Sequence, residues 1–303
     1  MYKQIAHNKR RSVIVVAAFL VMWTGIGALI GALTSTTGSG IYTGIVLAAA
    51  LAALAALFAV RSGSRLVLAT SGAKPADLTT YRQLHDIVEA LAIGDGLPKP
   101  EVYVIDDPSP NAFATGTSPN RAAIAVTTGA MQLFNREELE GVIGHEMSHI
   151  KNYDVRLILV VSTLIGLAGL LASMVWRSAF FMRPRGRDGE QLMIVILAAG
   201  VLLTIVAVIV GPLMQLALSR SRESLADVSG VELTRNPAGL ISALKKLEAN
   251  DKPFKSFNHA TAAMCIDDPL QHHSSWYHHL FDSHPPLETR IAHLEQISQG
   301  QSV

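Results

Sequence analysis

Four stretches of this 303-residue chain contain no Asp, Glu, Lys or Arg: residues 13–33, 41–60, 157–176 and 192–218. Each is about 20 residues or longer, enough at roughly 1.5 Å per residue to cross a hydrocarbon layer roughly 30 Å thick. Only 16% of the chain is charged, below the usual quarter, and the deficit lies in these runs. Four such runs argue against buried helices of a soluble core and for an integral membrane protein. The basic start (Lys3, Lys9, Arg10, Arg11) suits a signal peptide. The apolar part that follows, however, exceeds the usual ~7–15 residues and is followed by a second run, so a retained anchor is expected.

Residues 34–40, between the first two runs, are Thr, Ser and Gly without a charge, which suits a tight hairpin on the side away from the cytosol. Basic residues flank the opposite ends: those before the first run, Arg61, Arg65 and Lys74 after the second, and Arg220 and Arg222 after the fourth. By the positive-inside rule both termini lie in the cytosol. The loop between the third and fourth runs disagrees, with Arg177, Arg183, Arg185 and Arg187 against Asp188 and Glu190. Either those two runs do not both cross fully, or the N-terminal bias overrides a local violation. A hairpin returns the chain to the side it left in both cases.

Residues 71–153 are polar and globular in pattern. Leu84, Ile87, Val88 and Leu91 recur at helical spacing within 78–91, ahead of Gly94, Gly96 and Pro98, which predicts an amphipathic helix. Short strands are expected at 101–105, 112–115 and 122–127, and then a helix. Asn135 with Glu138 three residues on is a capping-box pattern, and Leu139, Val142, Ile143, Met147 and Ile150 supply a buried side. This helix should end near Asn152 and Asp154 and hand over to the third apolar run, placing its chemistry close to the membrane surface and, by the same rule, in the cytosol.

That chemistry is carried by His145, Glu146 and His149. On a helix the two imidazoles share a face, and Glu146, about 100° round, can touch a water bound to an ion they hold. This is the HExxH arrangement of zinc peptidases; two histidines on an ordinary surface helix are the plain alternative. A catalytic zinc needs a third protein ligand. The metzincin positions are occupied by Val155 and Asn152 instead of His and Gly, excluding that class. A Glu about 20 residues beyond the second His is ruled out because the chain there is uncharged. The next acidic residues at suggestive spacing are Glu223 and Asp227. They share a helix face, so Glu223 can bind metal while Asp227 holds an imidazole through its other nitrogen. A charged helix end outside the membrane, with Arg220 and Arg222 as anchors, is the alternative for that stretch. The need for a third ligand favours the first.

The ordered set of motifs resembles the M48 membrane metallopeptidases over nearly the whole chain. It comprises the run from Ala123 to Gly129, Glu137 to Leu139, His145 to His149 with Asn152 and Asp154, Ser219-Arg220 with Glu223 and Asp227, and Ser283-His284-Pro285-Pro286-Leu287 with Arg290. The resemblance implies one zinc ion bound by His145, His149 and Glu223, and Glu146 as catalytic base. It also implies membrane-protein or unfolded polypeptide substrates, in quality control at a prokaryotic inner membrane. Asn111, Ala112, Phe113 and Ala114 look like the family's active-site edge strand, which an extended peptide can join through its backbone; a plain surface strand is the alternative.

His284 precedes two prolines and a helical pattern of Leu287, Ile291 and Leu294, and can donate to the oxyanion of a tetrahedral intermediate. In the family an Arg six residues after this His lies beside it, and Arg290 fits that place. The other reading is a helix-capping His and a solvated Arg. His272, His273, His278 and His279 sit in sequence without a period and suit a surface loop better than a second metal site.

The expected fold is an α+β membrane protein, mainly helical, with four hydrophobic helices and a small β-sheet beside a gluzincin-type HExxH helix. Its segments are a transmembrane hairpin (1–65), a cytosolic protease subdomain (66–155), a second hydrophobic hairpin (156–218) and a cytosolic C-terminal subdomain (219–303). The single cysteine, Cys265, excludes an intrachain disulfide and thiolate zinc ligation. A net charge of +1 carries no nucleic-acid signature. A metal transporter would need ionisable residues inside the apolar runs, which have none. A non-catalytic scaffold would tolerate loss of Glu146 or Glu223, and both are present.

Overall fold

The computed structural model describes residues 2–34, 38–181, 187–205, 220–249 and 286–299. The chain forms two compact units. One takes Met1–Lys9, Gly63–Leu159 and Gln215–Val303, the other Arg10–Ser62 and Val160–Met214.

The second unit is built from apolar helices: most of α1 (Tyr2–Thr34) and α2 (Gly38–Thr70), with α6 (Asp154–Phe181) and α7 (Arg187–Ile205). Three described helices are long and apolar enough to cross a membrane, over Ala6–Ala32, Ser39–Thr70 and Asp154–Phe181. The fourth run is described only in part: its apolar helix covers Met193–Ile205, and 206–218 lie outside the described residues. Arg183 and Arg185 of the discordant basic loop lie outside them too. Gly27 and Gly44 fix the α1–α2 packing. A Cβ on Gly27 would lie 2.3 Å from the Gly44 carbonyl oxygen, and one on Gly44 2.1 Å from that of Gly27, so only hydrogen fits between these backbones. Phe19, Ala52, Ala59, Val160 and Leu164 form the unit's buried cluster. Trp176 Nε1 donates to Thr204 Oγ1 at 2.9 Å across α6 and α7, satisfying an indole N–H where water is scarce.

The first unit holds a four-stranded mixed sheet of β1 (Lys74–Pro75), β2 (Glu101–Ile105), β3 (Ala112–Gly116) and β4 (Ala122–Thr127), in the order β1-β2-β4-β3. β2 and β4 run parallel; β1–β2 and β3–β4 are antiparallel. The three strands expected from sequence are present, and β1 is additional; at two residues it is too short for a periodic signal. Alternate side chains explain why β4 is apolar up to its last residue, Thr127. Val102, Val104, Ala112, Ala114, Ile124 and Val126 join the main core. Ile105, Phe113, Ala123 and Ala125 face the other way, onto Val67 and Leu68 from the end of α2 and Leu159 from the start of α6. A strand buried on both faces loses polar alternation.

The main core lies between the sheet and α3 (Arg82–Asp95), α5 (Arg136–Lys151), α8 (Arg220–Thr234), α9 (Pro237–Glu248) and α10 (Leu287–Ser298). Helix α3 starts later than its apolar spacing suggests, because Asp77 holds the Thr79 and Thr80 amides in a turn of its own. It runs through Gly94 to a left-handed cap at Gly96. After α4 (Thr128–Leu133), the expected capping box opens α5: the Asn135 side chain accepts from the Glu138 amide, and Glu138 accepts from the Asn135 amide. The Glu138 carboxylate also takes Lys246 Nζ and Ser242 Oγ, each at 2.6 Å, tying the start of α5 to α9.

Candidate metal centre

Helix α5 carries His145, Glu146 and His149 on a buried stretch that runs from Leu139 to Ile150 with the exception of Glu140. Helix α8 lies antiparallel to it, since Glu223 meets His149 while Asp227 and Gly230 meet His145 and Gly144. The approach is as close as backbones allow. A Cβ on Gly230 would lie 2.9 Å from the His145 amide nitrogen and 3.1 Å from the Gly144 carbonyl carbon. Glycine on both helices thus lets short side chains on α8 reach the imidazoles.

The Nε2 atoms of His145 and His149 are 3.2 Å apart, with the rings edge to face. Glu223 Oε2 lies 3.4 Å from the first and Oε1 3.4 Å from the second. One atom from each of the three residues falls within 4.8 Å of the others, and all three side chains are buried. What surrounds the rings decides what these atoms offer. His145 Nδ1 is 2.9 Å from Asp227 Oδ1, and His149 Nδ1 is 3.3 Å from Asp154 Oδ2. Carboxylates at both Nδ1 positions hold the proton there and turn the Nε2 lone pairs toward each other and toward Glu223. Converging lone pairs and a carboxylate in a dry pocket repel unless a cation lies among them. A divalent ion taking two nitrogens and one oxygen fits this donor set.

Electrostatics around the ligands follow from burial. Burial and Arg290 disfavour a charged His145, but hydrogen bonds to Asp227 and Glu223 outweigh them and raise its pKa to about 9. A bound ion would take that proton's place. Burial pushes Asp227 up, yet the Arg290 guanidinium brings it down to about 2. Arg290 grips Asp227 with two bonds, Nε to Oδ2 at 2.9 Å and Nη2 to Oδ1 at 2.6 Å, and its Nη2 is 3.3 Å from His145 Nδ1. Arg290 therefore stands behind His145 and Asp227, on the side away from the converging Nε2 atoms.

Glu146 is buried as well, and burial raises its carboxyl pKa above the ordinary value. Its Oε2 accepts from the Ala114 amide at 2.8 Å. Ala114 belongs to β3, the last strand of the sheet beyond β4. Asn111 pairs with Thr127, its carbonyl accepting the Thr127 amide. By antiparallel alternation Ala112 and Ala114 then turn their backbone groups away from β4, toward the side where Glu146 stands. Asn111, Ala112, Phe113 and Ala114 are all buried.

Asn152 caps α5, and Tyr153 adopts φ +61° before Asp154 opens α6. Asp154 accepts from Asn8 Nδ2 at 2.6 Å and lies 3.6 Å from Arg222 Nη1. Neither Asn8 nor Arg222 stands out in the sequence as a site residue. Arg222 looks like a membrane-flanking charge, yet it is 3% exposed, and its neighbour Glu223 was the available signal. Asn8 offered none. His284, the His272–His279 group and Cys265 lie outside the described residues.

The family model for peptidase family M48 matches residues 79–298, which takes in β2, β3 and β4, the converging ligands and Arg290. This chain belongs to peptidase family M48. A protease HtpX homolog of Lactobacillus helveticus is 42% identical over 98% of this chain and 100% of its own length. One from Streptococcus mutans has the same identity and coverage. In fold the M48 chain is similar to a crystal structure of Ste24p from S. mikatae, with a TM-score of 0.51 at 18% identity, over 97% of this chain and 67% of that one. Together with its three long apolar helices, these relatives make it a multi-pass membrane peptidase of the M48 family.

Proposed function

We propose that this chain is a zinc-dependent endopeptidase whose single zinc ion is held by His145, His149 and Glu223. The carrying observation is the convergence of two Nε2 atoms and the Glu223 carboxylate, with both Nδ1 atoms held by carboxylates. When bound, zinc supplies Lewis acidity toward a peptide carbonyl and toward water. Glu146 is the base: its raised pKa brings it nearer neutrality, where a carboxylate both takes a proton from water and returns it to the leaving amine.

Asn111, Ala112, Phe113 and Ala114 supply the edge on which an extended peptide pairs, through the carbonyl groups that Ala112 and Ala114 turn away from β4, since their amides donate to Asn111 Oδ1 and to Glu146. Backbone pairing places few demands on side chains, which suits membrane proteins or unfolded polypeptides as substrates in quality control. Asp227 and Asp154 orient the two imidazoles, Arg290 holds Asp227, and Asn152 ends the helix beside Asp154. His284 is assigned to the oxyanion, from its motif before two prolines and α10. The family resemblance supports a prokaryotic inner membrane as its location, and the basic residues around the apolar runs support an orientation with this site in the cytosol.

The test is metal analysis of the purified full chain with casein cleavage, with and without chelator, for wild type and Glu223→Ala. We expect about one zinc per wild-type chain, activity abolished by chelator, and little metal or activity in Glu223→Ala. Zinc and activity retained in that variant would place the third ligand elsewhere.

A further inference from the structure

The first nine residues belong to the same unit as the metal centre, and two of them grip the break between α5 and α6. Asn8 is 0% exposed. Its Nδ2 donates to the Asn152 carbonyl oxygen at 2.9 Å and to Asp154 Oδ1 at 2.6 Å, using both amide hydrogens. Lys9 Nζ stands 4.2 Å from the centre of the Tyr153 ring. Three consecutive residues of the break are thus held by two consecutive residues of α1. Tyr153 needs holding, because φ +61° is a left-handed conformation that a bulky side chain keeps only where its surroundings enforce it.

The other oxygen of Asp154 faces His149 Nδ1. A continuous path therefore runs from Asn8 through Asp154 to the imidazole whose Nε2 meets Glu223. We infer that Asn8 is a positioning residue for the metal centre: from α1, it fixes the Asp154 carboxylate that orients His149. This rests on the assignment of His145, His149 and Glu223 as ligands. The chemistry favours a neutral amide at this place. A lysine would add a second cation beside Arg222 on the same Asp154 oxygen, and an aspartate would set two carboxylates against each other.

The experiment uses the full chain in detergent, with zinc affinity measured by competition against a chromophoric chelator and the cobalt-substituted protein followed by its visible absorption. Asn8→Ala should weaken zinc binding by about 10-fold or more and alter the cobalt spectrum. Lys9→Ala, which loosens Tyr153 but leaves both Asn8 bonds in place, should weaken zinc binding far less than Asn8→Ala. In an Asp154→Ala background, Asn8→Ala should add no further loss, since its effect passes through that carboxylate. Wild-type affinity in Asn8→Ala, or equal losses with and without Asp154, overturns the inference. Should Asn8→Ala fail to fold, Asn8→Ser keeps a short donor and should fall between wild type and Asp154→Ala; full wild-type affinity there overturns the inference as well. Failure of the underlying assignment looks different: wild type itself would bind no zinc, or Glu223→Ala would bind it as tightly, and the inference would fall with it.

Discussion

Glu146→Gln should carry the same zinc content as wild type and cleave casein at least about 10²–10⁴-fold more slowly. The amide keeps the size and shape of the carboxylate but accepts no proton from water. Glu146 is not among the converging ligand atoms, which belong to His145, His149 and Glu223, so metal content is expected to survive. Stability should hold or rise, because burial disfavours the ionised carboxylate that the variant removes. Metal analysis, thermal melting and initial rates on one preparation separate these effects. Cleavage at the wild-type rate would remove Glu146 from the reaction, and loss of zinc would make it a ligand.

Arg290→Leu should destabilise the chain by about 3–5 kcal/mol, because it leaves the Asp227 carboxylate buried without its ion-pair partner. Both groups are almost fully buried, and the two bonds between them are short. The pH dependence has a definite sign. In wild type the Asp227 pKa lies at about 2, below its ordinary 3.8. The ionised pair therefore contributes stability above about pH 3.8, and that contribution is lost as pH falls toward 2. Without Arg290 the largest influence lowering the Asp227 pKa is gone, so that pKa rises and acid unfolding should begin at a higher pH. Melting temperature and an acid titration followed by circular dichroism measure both consequences. An unchanged melting temperature and acid midpoint would mean that the pair does not hold the site together.

Much of this architecture was legible because it is written in local, periodic signals. The capping box at Asn135 and Glu138 depends on residues three apart, and it forms as expected. The strands 101–105 and 122–127 were visible as short apolar segments, and three of the charge-free runs as long helices. Two-residue β1 and the late start of α3 were not legible, since the first has no period and the second depends on the Asp77 turn.

The sequence by itself determined the residue types of the site: two histidines one turn apart, a carboxylate beside them, and an acidic pair farther along the chain. Spacing along one helix is fixed by its geometry, so HExxH is informative without any fold. Tertiary structure decided how the distant groups meet the histidines and which further residues hold those groups. Glu223 meets both Nε2 atoms because Gly144 and Gly230 let α5 and α8 touch. Asp154 holds His149, and Asn8 and Arg222 reach Asp154 from segments far away in sequence. Such partners carry no periodic signature; they are chosen by the demand that each buried charge and each polar hydrogen find a counterpart, a demand that exists only once the chain has closed around them.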